Sequence, residues 1–193
     1  MAKKVIILLA QGFEEVEVIT PIDYLRRAGF EVTVAAVGKS DGGDLLITGS
    51  HGIPIAADAA LERLDAAAYD AVVVPGGLPG ADNLAACATV SALITSMAGA
   101  GKLVCAICAA PARVLAPLGL LAGKTFTCYP GEQANIRAED ASGAQRLEER
   151  VVVDGNLITS QGAGSAGEFA VAILAALADE TAANKLAASV LLR

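Results

Sequence analysis

Short apolar runs alternate along the chain with segments of helical periodicity. Lys4–Ala10 is a nearly continuous apolar run of strand length, Glu14–Ala28 repeats apolar residues about one turn apart, and Glu31–Val37 is a β-branched run. A strand, a helix and a strand in succession are typical of a βαβ unit in a parallel sheet.

The same alternation continues to the end of the chain. Further strands are predicted at Tyr69–Val74, Leu103–Ile107 and Thr125–Cys128. Helices are predicted at Leu61–Leu64, Asn83–Ala98 (broken near Cys87), Ala109–Leu118, Ala166–Leu177 and Glu180–Leu192. Hairpins are predicted at Leu45–Ala57 and Val151–Ser160, and the second has Asp154–Gly155 as its turn. Residues 38–44 are rich in turn formers, and residues 131–149 are polar and ambiguous. We therefore predict one three-layer α/β domain, doubly wound around a mostly parallel sheet.

Composition first raises the question of a membrane protein, because 54% of the 193 residues are hydrophobic and only 18% are charged. A spanning helix needs about 18 uninterrupted apolar residues, and the sequence has no such run. The short apolar start, Met1–Ala10, lacks the pattern of a secretory signal, so we expect a cytoplasmic protein. The apolar residues are then explained by short strands buried on both faces of a sheet.

The net charge indicates which partners the protein can bind, and the cysteine content indicates whether disulfides form. The net charge is −7 and aromatic residues make up 4%, which argues against nucleic-acid binding. Cys87, Cys105, Cys108 and Cys128 are expected to be free thiols, because a domain of this length builds a core without disulfides.

In doubly wound sheets, ligands bind beyond the carboxyl ends of the strands. The predicted strand Leu103–Ile107 runs directly into Cys108, and a helix with Pro111 in its first turn follows. This is the layout of a nucleophile elbow, in which a sharp strand-to-helix turn presents the side chain at the sheet edge. The positive end of the helix would favour the thiolate, which is the nucleophilic form. The alternative is that Cys108 is a small core residue.

A thiolate nucleophile needs a proton partner, and acids follow the first strand. Glu14 and Glu17 would share a helix face while Glu15 points elsewhere. A carboxyl directed into the crevice would be partly desolvated, its pKa would rise, and it could then shuttle protons near neutral pH. Alternatively, all three acids only stabilise the helix N-terminus.

Pro75-Gly76-Gly77 ends the strand that should lie beside the Cys108 strand. Glycines allow close approach of the backbone to a ligand, so the amides of Gly76 and Gly77 could form an oxyanion pocket with that of Ala109. The alternative is a plain turn.

Other uses of the cysteines and the single histidine have less support. Cys105 and Cys108 form a CxxC pattern, but an extended chain would separate their Cα atoms by about 10 Å, beyond the limit of about 7 Å for a disulfide. We expect no metal site, since a zinc site would need further ligands. His51 lies in the first hairpin, where we expect a surface residue; pairing with Cys108 is the alternative.

Several segments together resemble the ThiJ/PfpI family, in the branch of the parkinsonism-associated protein deglycase. They occur in family order over nearly the whole chain: Leu9–Glu17, Pro21–Asp23, Arg26–Gly29, Val74–Gly77, Ala106–Pro111, Thr159–Gly164 and Glu168–Ala170.

The resemblance implies a flavodoxin-like fold, a single domain over residues 1–193 of the class I glutamine amidotransferase-like type, and a homodimer. It implies that Cys108 is the elbow cysteine, prone to oxidation to the sulfinic acid, that Glu17 hydrogen-bonds its sulfur, and that Gly76, Gly77 and Ala109 form the oxyanion pocket. The implied activity is conversion of α-oxoaldehydes such as methylglyoxal without a cofactor, or removal of their adducts from proteins. Peroxide sensing and chaperone-like action in oxidative stress are also attributed to the family.

The sequence departs from the family pattern at two positions. Tyr129 stands where many members have a histidine beside the cysteine, and a side chain with a pKa of about 10 is a poor base at neutral pH. His51 stands where relatives often have an arginine that reaches the partner's pocket, and Arg27 matches another cationic position there. We hypothesise a His51–Arg27 anion site across the dimer.

Three functions remain open from the sequence. The first is a cofactor-independent glyoxalase or protein deglycase that acts through Cys108 and Glu17. The second is a redox-sensing, chaperone-like protein in which oxidation of Cys108 is the signal. The third is a small-molecule binding domain without chemistry, for which Cys108 would react as an ordinary thiol.

Overall fold

The computed structural model describes residues 2–38 and 45–192 of the chain. The strands are β1 Lys4–Leu9, β2 Glu31–Ala36, β3 Leu46–Thr48, β4 Pro54–Ala56, β5 Ala59–Ala60, β6 Ala71–Val74, β7 Leu103–Ile107, β8 Thr125–Phe126, β9 Gln145–Arg146, β10 Val151–Asp154 and β11 Leu157–Ser160. The α-helices are α1 Glu15–Arg27, α2 Gly80–Ala85, α3 Ala88–Gly99, α4 Ala166–Leu177 and α5 Glu180–Ser189. Of the turn-rich segment 38–44, residues 39–44 lie outside the described residues.

Within the described ranges, seven strands form the main sheet in the order β10-β11-β7-β6-β1-β2-β5. All neighbouring pairs are parallel except β10 with β11, which are antiparallel. The central strands are buried on both faces, which accounts for the unbroken apolar sequence of Val5–Leu9. The predicted doubly wound, mostly parallel sheet is confirmed.

Helices cover both faces of the sheet and enclose two apolar cores. One core packs α1, α4 and α5 against the sheet, with Phe169 fully buried at its centre. The other packs α3 and the turn Pro111–Leu115 against the opposite face, with Ile94 fully buried. These are the three predicted layers.

The helix predicted after Cys108 is irregular. Residues Pro111–Leu115 form a π-helical turn, and Ala116–Leu118 form a 3₁₀ turn that ends at Gly119 in the left-handed region. The break predicted near Cys87 is confirmed, since α2 ends before it and α3 begins after it.

The second hairpin departs from the sequence prediction at its turn. Asp154 pairs with Leu157 across the strands, so the connecting residues are Gly155 and Asn156 rather than Asp154 and Gly155. The reason is tertiary, because the Asp154 carboxylate accepts hydrogen bonds from the Thr125 backbone N–H at 2.8 Å and hydroxyl at 3.1 Å. These bonds tie the hairpin to β8. The first hairpin, β3–β4, forms as predicted.

Among the described residues, none of the helices is both long and apolar enough to cross a membrane.

Candidate active site

Cys108 immediately follows β7 at the carboxyl edge of the sheet, as the elbow prediction requires. Its φ is 65°, in the left-handed region, which costs a residue with a Cβ about 1–2 kcal/mol. Two backbone hydrogen bonds hold this conformation: the Cys108 N–H donates to the Ser160 carbonyl, and the Tyr129 N–H donates to the Cys108 carbonyl, each at 2.9 Å. The half-buried thiol is thereby presented at the strand ends.

Glu17 is the acid that faces this thiol. Its side chain is fully buried, and its Oε2 accepts the Gly76 N–H at 2.8 Å. Its Oε1 has no hydrogen-bond partner in the described part of the chain, and the carboxyl group interacts with the Cys108 thiol. Burial raises the pKa of Glu17 to about 7, against the opposing effect of the bonds to Cys108 and Gly76.

The protonation of the sulfur differs from the simple expectation of a stabilised thiolate. Burial raises the pKa of Cys108, and the charge and hydrogen bond of Glu17 raise it further, while the amides of Gly77 and Ala109 lower it. Both groups therefore resist being charged at once, so the pair holds two protons below a pH of about 7 and one proton above it. The thiolate exists where Glu17 carries that proton.

The three amides proposed as an oxyanion pocket have different partners. The Gly77 and Ala109 amides are directed at the Cys108 sulfur. The Gly76 amide donates to Glu17 Oε2 instead, at 2.8 Å. A Cβ on Gly76 would lie 2.7 Å from the Cys108 Cβ and 2.8 Å from Glu17 Oε2, which explains the glycine by close packing.

The remaining two acids have structural partners. Glu14 is the N-cap of α1, and its carboxylate accepts the Glu17 N–H at 2.8 Å. Glu15 is also buried, but it faces the β3–β4 hairpin: its Oε1 accepts the His51 N–H at 2.7 Å and the Ile53 N–H at 3.3 Å. Glu17 alone is therefore placed to exchange a proton with Cys108.

His51 pairs with Glu15 and not with Cys108. Its Nδ1 lies 2.9 Å from Glu15 Oε2, while 70% of its side chain is exposed. The bond to Glu15 raises the pKa of His51. Burial raises the pKa of Glu15, but the hydrogen bonds from His51 and the backbone outweigh it and lower that pKa to about 2.

We expect Glu15→Gln to destabilise the protein at neutral pH but hardly at pH 2. Because the pKa of Glu15 is lowered from 4.5 to about 2 by folding, its contribution is present above pH 4.5 and is lost as the pH falls through 2. The full contribution is at most about 3 kcal/mol. The measurement is urea unfolding of wild type and variant from pH 2 to pH 7.

The matched control for this prediction is Glu31→Gln, since Glu31 forms an exposed ion pair with Lys4 at 3.1 Å. Exposed pairs contribute little, so this variant should unfold like wild type at every pH. A loss in Glu15→Gln that is independent of pH would contradict the assignment of the carboxylate as a charged anchor.

Arg27 lies at the opposite end of α1 from Glu15, the partner of His51, and the two ends are about 18 Å apart along the helix. Its Nε contacts Asp23 Oδ2 at 2.7 Å. Within one chain, the structure therefore does not bring Arg27 and His51 together.

Tyr129 and Gly162 border the opening above the sulfur. A Cβ placed on Gly162 would lie 3.4 Å from Tyr129 Cδ2, 3.8 Å from Glu17 Oε1 and 3.9 Å from Cys108 Sγ. Tyr129, Gly162 and Arg150 also line an adjoining depression of about 280 Å³. The Tyr129 side chain is 53% exposed, so it lies at the mouth of the site.

Gly162 is a site residue that the motif analysis did not single out. It follows β11, which pairs with β7, so the strand-end rule could have found it once the strand order was known. A Cβ there would be in van der Waals contact with Tyr129 and 3.9 Å from the sulfur, so a larger side chain would narrow the space in front of the thiol.

The four cysteines are free, as expected. Cys105 and Cys128 are fully buried, and burial raises the pKa of each. Cys87 is half-buried before α3. Cys108 differs from the others in having both an acid and two backbone amides at its sulfur.

One cluster in the described residues has the composition of a cation site. Ligand atoms of Glu14, Glu15 and His51 lie within 4.8 Å of one another. Glu15 and His51 already bond each other, and nothing else at the cluster indicates a metal, so we assign it none.

Residues 3–176 match the sequence model of the DJ-1/PfpI family. The chain belongs to this family. The DJ-1/PfpI match includes the residues at the site, Glu17, Cys108 and Gly162 among them.

Individual DJ-1/PfpI proteins show how far the similarity extends. Protein DJ-1 homolog B of Arabidopsis thaliana is 37% identical over 99% of this chain, which spans only 42% of that relative's length. A deglycase of Pyrococcus abyssi is 34% identical over 82% of this chain and 89% of its own. The crystal structure of Drosophila melanogaster DJ-1beta is 38% identical, covers 100% of both chains and has a TM-score of 0.90. The fold and the family are thus shared along the whole chain.

Proposed function

We propose that this chain is a cofactor-independent glyoxalase or deglycase-type stress-protection protein that acts on α-oxoaldehydes or their protein adducts. The observation that supports the proposal is the environment of the Cys108 sulfur. The sulfur accepts hydrogen bonds from two backbone amides and faces the buried carboxyl of Glu17, whose pKa is about 7. The named deglycase among its relatives supports the same chemistry.

The first step is addition of the Cys108 sulfur to the aldehyde carbon of methylglyoxal, while Glu17 delivers its proton to the carbonyl oxygen. The product is a hemithioacetal. The amides of Gly77 and Ala109, at present directed to the sulfur, stabilise the oxygen as its charge develops. Glu17 is left as a carboxylate and can now act as a base.

The second step moves a proton between the two carbons. Glu17 removes the proton from the former aldehyde carbon, which gives an enediol as the neighbouring carbonyl oxygen takes up a proton, and Glu17 then returns its proton to the neighbouring carbon. Loss of the hydroxyl proton from the first carbon re-forms a carbonyl there, and the product is a thioester of lactate. Water then hydrolyses the thioester, and the thiol is restored. The balance is methylglyoxal plus water to lactate, and the steps use only groups of this chain.

We assign Tyr129 no proton transfer in this sequence, because its side chain lies exposed at the mouth of the site. Glu17 therefore handles every proton, and we expect slower turnover than in a site with an added histidine. Tyr129 instead limits access to the sulfur from the mouth of the site.

A second candidate function is redox sensing, with chaperone-like action after oxidation. Cys108 is half-buried and opens to the mouth of the site, whereas Cys105 and Cys128 are fully buried. The amides of Gly77 and Ala109 and the proton of Glu17 are arranged to hold the oxygens of a sulfinate as well as those of an aldehyde adduct.

We also propose that residues 1–193 form one domain and act as a cytoplasmic homodimer. The proposal of a dimer is supported by apolar side chains that α1 and the neighbouring hairpin leave exposed, Val16 and Ile19 at 46% each and Ile53 at 55%. Since Arg27 and His51 are far apart in one chain, their proposed anion site would need residues from both subunits.

The test is a glutathione-free assay of lactate formation from methylglyoxal with wild type, Cys108→Ser and Cys105→Ser. We expect activity in wild type and Cys105→Ser and a loss to background in Cys108→Ser. Equal rates in all three would overturn the enzyme proposal. In that case, a gain of two oxygens at Cys108 after mild peroxide, read by mass spectrometry, would favour the sensing function.

A further inference from the structure

Arg113 connects three parts of the chain through one guanidinium group. Its Nε and Nη2 donate to the two carboxylate oxygens of Glu132 at 2.7 and 3.2 Å, and its Nη1 donates to Asp82 Oδ1 at 2.8 Å. The side chains of Arg113 and Glu132 are only 25% and 15% exposed. A two-pronged pair in such a place fixes geometry more firmly than a single surface contact.

Arg113 itself belongs to the turn that follows the nucleophile. Its backbone N–H donates to the Ala109 carbonyl at 2.9 Å, and Ala109 supplies one of the amides at the Cys108 sulfur. The base of the guanidinium stem is thus held about one turn from the reacting group.

Glu132 belongs to the segment that carries Tyr129. The Glu132 N–H donates to the Tyr129 carbonyl at 3.0 Å. The residue whose side chain is bound by Arg113 therefore restrains the Tyr129 backbone through its own backbone N–H. The Tyr129 N–H bonds the Cys108 carbonyl. Two hydrogen bonds, one at the N–H and one at the carbonyl of Tyr129, therefore restrain the backbone from which the ring projects.

Asp82 belongs to α2, which begins just after the glycine turn. The N–H of Ala81, in the same helix, donates to the Gly77 carbonyl at 2.8 Å. Through Asp82, Arg113 therefore also contacts α2, the helix that bonds Gly77, whose amide is the second one at the Cys108 sulfur.

We propose that Arg113 is a positioning residue that, with Glu132 and Asp82, sets the opening of the Cys108 site by holding Tyr129 and α2 in place. The positioning role of Arg113 is inferred from geometry alone, whereas the effect of Arg113 on turnover rests on the proposed function. Loss of the guanidinium would let the Tyr129 segment move away from Gly162 and expose the sulfur.

The experiment compares wild type with Arg113→Met, in which an apolar chain of similar length replaces the charged group. We expect iodoacetamide to alkylate Cys108 about fivefold faster in the variant, as measured by mass spectrometry of the Cys108 peptide. The KM for methylglyoxal should rise by a similar factor, with kcat less affected. Arg113→Lys should restore only part of the difference, because an ammonium group cannot bond both carboxylate oxygens in the same way.

A second readout reports on Tyr129 directly. The chain has three tyrosines, Tyr24, Tyr69 and Tyr129, so incorporation of 3-fluorotyrosine gives three fluorine resonances. We expect Arg113→Met to shift or broaden the Tyr129 resonance and leave the other two unchanged. A general loss of stability would move all three.

The matched control is Arg137→Met, because Arg137 makes a similar two-pronged pair with Asp140, at 2.7 and 2.9 Å, but is 65% exposed. This variant should behave as wild type. If Arg113→Met folds poorly, Glu132→Gln removes the charge from the same pair while Arg113 keeps Asp82.

The outcomes separate the two proposals. If the Arg113 and Glu132 variants match Arg137→Met in alkylation rate and fluorine spectrum, the positioning role is overturned. If they differ from it as expected but wild type makes no lactate, the positioning role stands and the proposed enzyme function fails.

Discussion

Replacing Glu17 by glutamine is expected to lower kcat/KM for methylglyoxal by about two to three orders of magnitude at pH 7. The amide can neither give a proton to the developing alkoxide nor take one from carbon, and Glu17 is the only acid in residues 2–38 and 45–192 that acts on the Cys108 sulfur. The shape of the side chain is retained, so substrate access should change little. The measurement is the rate of lactate formation from pH 5 to pH 9.

The pH profile gives this prediction a second criterion. The reactive form of the pair has lost one of its two protons, so wild-type kcat/KM should rise with pH through a midpoint of about 7, the pKa to which burial raises Glu17. In Glu17→Gln this midpoint should disappear, since only the thiol of the pair still titrates.

Stability should change in the opposite direction. A carboxyl whose pKa is raised from 4.5 to about 7 by burial weakens folding as the pH rises through that interval. The loss above pH 7 is at most about 3 kcal/mol, and Glu17→Gln avoids it. The variant should therefore be inactive and yet more stable than wild type at pH 8.

Glu14→Gln is the matched control, because it neutralises an acid three residues away and keeps an oxygen to cap the Glu17 N–H. We expect its activity to remain within about threefold of wild type, since its carboxylate caps the Glu17 N–H and acts on Glu17 only through its charge, as the smallest of the effects on that pKa. If Glu14→Gln and Glu17→Gln lost activity equally, the activity would depend on negative charge near the start of α1 and not on proton transfer by Glu17.

Replacing Gly77 by alanine is expected to destabilise the protein by about 3–4 kcal/mol. The φ of Gly77 is +82°, and a Cβ there would lie 2.3 Å from Glu14 N, 2.6 Å from Phe13 C and 2.8 Å from Gly12 O. All three are backbone atoms of one loop, so no flexible side chain can move aside. The measurement is the free energy of unfolding in urea together with Tm, which should fall by about 10 °C.

Gly101→Ala separates the two causes of this loss. Gly101 also has a positive φ, +71°, but a Cβ there would meet no atom within 4 Å. Its loss should be about 1–2 kcal/mol, the cost of the backbone conformation alone. If Gly77→Ala were no more destabilised than Gly101→Ala, the close approach of the two loops would not be a constraint on the fold.

Much of the fold follows from local pattern. The apolar run of β1, the periodicity of α1 and the break at Cys87 are properties of adjacent residues, and each was predicted within a few positions. The ends of elements were less accurate. The α5 helix ends at Ser189 rather than Leu192, and Leu191 beyond it has a left-handed backbone. The second hairpin turns one residue later than expected, because the Asp154 carboxylate bonds Thr125.

The part of the site that lies at the end of a strand could be predicted from the sequence. Cys108 was placed at the sheet edge by the strand before it, and Glu17 was identified through the family resemblance. Helical spacing by itself left Glu14, Glu15 and Glu17 as alternatives, since it says which acids share a face and not what that face meets.

The sequence by itself therefore determined the class of fold, the position of the nucleophile and the family, because these depend on short-range periodicity and on motifs. Only the tertiary structure decided that Glu15 binds the hairpin, that the Gly76 amide is used by Glu17, and that Arg113 joins Glu132 to Asp82. Such contacts form between residues tens of positions apart. A hydrogen bond depends on where atoms lie to within a few tenths of an ångström, and no local pattern carries that information.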